Sequence, residues 1–137
     1  MSTTTFAQLT PYEKSENIAT TTYEEAINYY QSLAKAFPQQ AKLVVYGQTD
    51  FGKPLHLLVL SKEGVFDPIK VKQANKRVLL INNGIHPGEP DGVNACLIWI
   101  DNWIKKGKNI PDMPVVAIIP AYNVGGMFNR SSTSRAN

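Results

Sequence analysis

Cysteine is nearly missing from this chain, with Cys96 alone among 137 residues. A single thiol closes no internal disulfide and supplies no Cys-rich zinc ribbon, so the fold must hold by burial. Histidine is scarce too, with only His56 and His86. No sign of charge dominates: 14 Lys plus Arg face 11 Asp plus Glu, leaving +3 spread along the chain. That balance is no footprint for nucleic acid, and the lysines have no interleaved aromatic platform, so no nucleic-acid partner is expected. Apolar runs fall far short of the ~20 residues that span a bilayer, so no membrane partner is expected either. What is present is 43% hydrophobic residues, enough at this length for a real core.

Residues 1–21 are polar and Thr-rich and read as a flexible N-terminal segment, with 22–137 as the folded portion. Neither the basic n-region nor the apolar h-region of a signal peptide stands in them. Thr5-Phe6-Ala7-Gln8 fits the trailing edge of a secretion signal, as in a secreted or periplasmic protein, and fits a frayed terminus equally well.

Thr22-Tyr23-Glu24-Glu25 has the Thr-x-x-Glu form of a capping box and opens a helix. Tyr23, Ala26, Ile27, Tyr30, Leu33, Ala34 and Phe37 then make one apolar stripe, until Pro38 stops the helix. Leu43–Tyr46 and Leu55–Leu60 are β-rich runs around a Gly- and Pro-containing turn and predict an antiparallel hairpin. Within it, His56 is expected to face solvent. Residues 61–76 read as a polar loop. Val78–Ile81 and Val115–Ile119 are continuous apolar runs, the pattern of central strands buried on both faces. Between them, from about Pro90 to Lys106, Val93, Cys96, Leu97, Ile100, Trp103 and Ile104 share one helical face, with Asn94, Asp101 and Lys105 on another. Strand, helix and strand make a parallel βαβ crossover, so the expected fold is α/β: a mixed sheet with a parallel βαβ core and an N-terminal antiparallel hairpin. Cys96 falls on the buried stripe, as inert packing.

Polar chemistry in such sheets gathers beyond the carboxyl ends of the strands, where Asn82–Gly92 lies. This stretch sets an imidazole, His86, three residues before a carboxylate, Glu89. Gly84, Pro87 and Gly88 turn the backbone sharply around them, and Pro90 suits a first helical turn. Such a pair could supply two of the three protein ligands of a catalytic zinc. The spacing alone would arise in about 9% of shuffled sequences, and its place after a buried strand is the added signal. The alternative is a loop in which His86 caps backbone carbonyls and Glu89 favours the helix N-terminus electrostatically. The residues alone leave both open.

From about Thr22 onward the chain resembles the zinc carboxypeptidases, the M14 metallopeptidase family. Four blocks carry the resemblance in order: the Thr-Tyr-Glu-Glu helix, the hairpin with Tyr46-Gly47 and Gly52-Lys53-Pro54-Leu55, the stretch Asn83-Gly84-Ile85-His86-Pro87-Gly88-Glu89, and Ile119-Pro120-Ala121-Tyr122-Asn123-Val124-Gly125-Gly126. The resemblance implies a zinc-dependent metallocarboxypeptidase that removes C-terminal residues from a peptide or protein, with His86 and Glu89 as zinc ligands. It also implies a second histidine ligand and a general base beyond residue 137. Arg130 and Arg135 stand where the family places residues near the substrate, and arginine binds carboxylates and oxyanions well. Gly88 stands where digestive members often carry an arginine, and Val124 and Gly125 replace the common Pro and Asp.

Unbroken apolar parallel strands need helices on both faces, yet only two substantial helices are predicted for at least four strands. The chain therefore reads as the N-terminal part, less than half, of a larger catalytic domain. Alone it is expected to bind zinc weakly and to lack peptidase activity. Two other functions fit the same residues: a zinc-dependent N-acyl amino acid deacylase, or a non-catalytic binding module on the same scaffold.

Overall fold

The computed structural model describes residues 8–105 and 113–131. Among the described residues nine elements follow in order: α1 (Pro11–Lys14), α2 (Tyr23–Ala36), β1 (Ala41–Gln48), β2 (Pro54–Leu60), α3 (Pro68–Gln73), β3 (Val78–Asn82), α4 (Asp91–Lys105), β4 (Val115–Ile119) and α5 (Val124–Phe128). Four strands form one mixed sheet in the order β1-β2-β4-β3. β1 with β2 and β2 with β4 run antiparallel, whereas β3 and β4 run parallel from Val78 opposite Val115 to Asn82 opposite Ile119. The α/β architecture, with its hairpin and its βαβ crossover through α4, is the one the periodicity predicts.

Helix α2 begins where its capping box requires. Thr22 accepts a hydrogen bond from the Glu25 amide, and the Glu25 side chain accepts from the Thr22 amide. The Thr22 amide and hydroxyl both donate to this carboxylate and hold it below its usual range, and the first-turn carboxylates suit the positive end of the helix. The stripe Tyr23, Ala26, Ile27, Tyr30 and Leu33 is buried, with Tyr29 beside it. Ala26, Tyr29, Tyr30 and Leu33 pack with Leu97 and Ile100 of α4 against Leu58, Leu60, Val116 and Ile118, so both long helices contribute to one core, while Tyr23 and Ile27 pack in a second cluster with Ala121, Val124 and Met127.

Three features differ from expectation. The residues 61–76, expected as a loop, contain α3, because Asp67 caps the amides of Ile69 and Lys70 and Pro68 starts the turn. β4 is central, but β3 lies at the edge of the described sheet, with Val78 57% and Leu80 61% exposed. A continuous apolar run marks burial demand, not position in the sheet. Lastly, Asn94 and Asp101, placed by spacing on a polar face, are both buried. Asn94 accepts from the Thr21 amide at 3.2 Å, and Asp101 accepts from the Tyr29 hydroxyl. Within the segment expected to be flexible, Thr10 caps the single turn α1, and both Thr10 and Thr21 are buried.

Candidate metal centre

β3 delivers its chain to the carboxyl edge of the sheet, and Gly84 then turns it with φ +67°, a left-handed conformation that favours glycine. A tight turn follows, closed by the Glu89 amide donating to the His86 carbonyl at 2.9 Å. It brings His86 Nδ1 to 3.8 Å from a Glu89 carboxylate oxygen. Two donors on one tetrahedral zinc, each at about 2.1 Å, stand about 3.4 Å apart. The pair therefore fits adjacent ligand positions after a small side-chain rotation. Both groups reach solvent, Glu89 more than His86. Among the described residues, no group of three or more His, Cys, Asp or Glu is placed to hold a metal, so this pair is at most part of a ligand set.

The turn after β4 braces this loop. The Tyr122 amide donates to the Asn83 carbonyl at 2.8 Å, and the Asn123 amide donates to the Gly84 carbonyl at 3.1 Å. The Asn123 side chain caps Gly126 at 2.8 Å while its amide nitrogen reaches the Ile85 carbonyl at 3.5 Å. Gly126 approaches the loop so closely that a Cβ there would sit 2.5 Å from Pro87 Cγ. Pro87 lies between the two candidate ligands, so the start of α5 helps to set their separation. Sequence reading missed this support, although an Asn before a short helical run is a recognisable cap signal.

The remaining candidates lie apart. The Arg130 guanidinium donates to the Thr21 carbonyl at 3.2 Å and the Thr20 carbonyl at 3.4 Å, tying the chain after α5 to the segment before α2. Arg135 lies outside the described residues, as do Thr5, Phe6 and Ala7. His56, expected to face solvent, is buried at 7% exposure. Its strand is apolar on both faces, so alternation gives its parity but not its side. Tyr23 supplies the polar partner: its hydroxyl donates to the Pro54 carbonyl at 2.6 Å and lies 3.2 Å from His56 Nδ1. Burial pushes the His56 pKa down and the Tyr23 pKa up. Burial likewise pushes the Cys96 thiol up, in keeping with inert packing.

The family profile described as zinc carboxypeptidase matches residues 26–137. The chain belongs to that family. No curated protein is matched. Among solved structures, this zinc carboxypeptidase chain is similar to carboxypeptidase A from Helicoverpa armigera, at 25% identity and TM-score 0.68, over 80% of this chain and 26% of that one. It is similar to bovine thrombin-activatable fibrinolysis inhibitor, solved with tick carboxypeptidase inhibitor, at 20% identity and TM-score 0.64, over 85% and 36%. A metallo-carboxypeptidase from Burkholderia cenocepacia matches at 23% identity and TM-score 0.55, over 74% and 26%. The chain thus spans about a quarter to a third of these structures. The two likenesses below 25% identity speak for the fold alone.

Proposed function

We propose that residues 22–137 are the N-terminal portion of a zinc carboxypeptidase catalytic domain in which His86 and Glu89 are two of the zinc ligands. The observation that carries this reading is the imidazole and carboxylate 3.8 Å apart at the carboxyl end of β3. Bound there, zinc would polarise the scissile carbonyl and lower the pKa of a water to about 7. The chain's own contribution is positional: Gly84 aims the loop, and Asn123 and Gly126 fix its backbone. The other ligand and the general base come from chain beyond residue 137. Arg130 spends two nitrogens on Thr20 and Thr21, and Arg135 is the arginine we assign to the carboxylate of the substrate. The substrate is a peptide or protein C-terminus.

The test is a comparison of substrates with the full-length parent. Peptides ending in a free carboxylate should lose single C-terminal residues, C-terminally amidated peptides should resist, and His86→Ala or Glu89→Ala should abolish hydrolysis. Cleavage of N-acyl amino acids with no cleavage of peptides would replace the peptidase by a deacylase. No hydrolysis of either class by zinc-loaded parent would leave a binding module.

A further inference from the structure

Between the β1–β2 turn and the turn after β4 lies a cavity of about 300 Å³, lined by Thr49, Asp50, Leu55, Tyr122 and Asn123. We propose that it is a specificity subsite for one basic side chain, lysine or arginine, of a peptide substrate, an inference that rests on the carboxypeptidase reading.

Its size is at the small end of ligand clefts, suited to a side chain rather than a whole peptide. Its lining divides as such a side chain divides. Leu55 and the half-exposed Tyr122 ring offer apolar surface to a methylene stem, and Asp50 offers a carboxylate to the cationic head. Tyr122 adds an aromatic face, which attracts a cation. Asp50 is exposed, and no described residue pairs with it. The basic residue of the same turn is engaged elsewhere: Lys53 Nζ lies 5.1 Å from the Phe128 ring centroid and 4.0 Å from a Glu24 carboxylate oxygen.

The walls are held in place. The Thr49 hydroxyl donates to the Lys53 carbonyl at 2.8 Å and accepts from the Lys53 amide at 3.3 Å, which closes the turn. Phe51 then packs on Phe128 at 5.2 Å between centroids, and a Cβ on Gly125 would meet its ring at 3.2 Å. The hairpin tip is therefore locked to the segment after β4. Asn123 joins the cavity to the metal loop through its bonds to the Gly84 and Ile85 carbonyls, one residue short of His86.

Two readouts test this separately from the peptidase reading. In the parent, peptides carrying lysine at successive positions are compared with the same peptides carrying norleucine, which keeps the stem and drops the charge. One position should favour lysine by about threefold to tenfold in kcat/KM, and Asp50→Asn should bring that ratio close to one. In the 137-residue chain, N-acetyl-lysine amide should shift the backbone amide resonances of Asp50, Leu55 and Tyr122, and the norleucine analogue should not. A lysine-to-norleucine ratio equal in wild type and Asp50→Asn overturns the subsite while the peptidase stands. Selective shifts in a protein that hydrolyses no peptide overturn the peptidase and with it the cavity's role in substrate choice, leaving only a site that binds a basic side chain.

Discussion

Replacing Gly126 with alanine tests whether α5 sets the geometry of the metal loop. The new Cβ would stand 2.5 Å from Pro87 Cγ and 2.8 Å from the Asn123 side-chain oxygen. Carbon atoms prefer about 3.5–4.0 Å, so Pro87 must retreat by roughly 1 Å. Overpacking of this kind costs about 1–3 kcal/mol, and a displaced Asn123 cap adds about 1 kcal/mol. The better helix propensity of alanine returns up to about 1 kcal/mol. A net loss of about 2 kcal/mol lowers the Tm of a chain this long by about 7 °C. Since Pro87 separates His86 from Glu89, zinc affinity should fall with it, by about tenfold. Gly47→Ala is the control, because nothing lies within 4 Å of its added Cβ. Calorimetry and zinc titration of both variants make the comparison. A Gly126→Ala chain that melts with Gly47→Ala and binds zinc as wild type does would refute the reasoning.

Tyr29 and Tyr30 are neighbours with opposite expectations. Tyr29→Phe removes a buried hydrogen bond to the Asp101 carboxylate and should cost about 1.5–3 kcal/mol, whereas the buried Tyr30 hydroxyl has no partner among the described residues and Tyr30→Phe should be neutral or stabilising in urea unfolding. Arg130→Ala and Asn94→Ala both release the Thr20–Thr21 segment, so a double-mutant cycle should show a coupling of about 0.5–1 kcal/mol, and additivity would contradict a shared clamp. His56 has its pKa lowered by burial from 6.5, so the unfolded chain binds its proton first and stability should decline as pH falls below about 6.5. His56→Gln should flatten the urea midpoint between pH 8 and 5, and an unchanged slope would show that His56 is not its source.

Much of this architecture was legible because local rules and tertiary demand agree. Thr22 and Glu25 announce α2, two apolar runs flank an amphipathic α4, and Gly84, Pro87 and Gly88 mark the loop that holds His86 and Glu89. Failures came where a distant partner decides. His56 turns inward because Tyr23, 33 residues earlier, meets its ring. Asn94 and Asp101 are buried because Thr21 and Tyr29, 73 and 72 residues away, satisfy them. No periodicity contains that information. The edge position of β3 was hidden for another reason, since Val78 and Leu80 are as apolar as a central strand requires and yet remain exposed. Their exposed side chains mark apolar surface that no described element covers.

The central claim is that His86 and Glu89 supply part of a zinc site that other residues complete. Zinc titration by calorimetry, on the 137-residue chain and on the full-length parent, tests it most directly. The chain alone should bind zinc weakly and lose that binding in both His86→Ala and Glu89→Ala, and the parent should bind one zinc tightly in a manner either substitution disrupts. Tight one-to-one binding by residues 1–137 that survives His86→Ala would contradict the account.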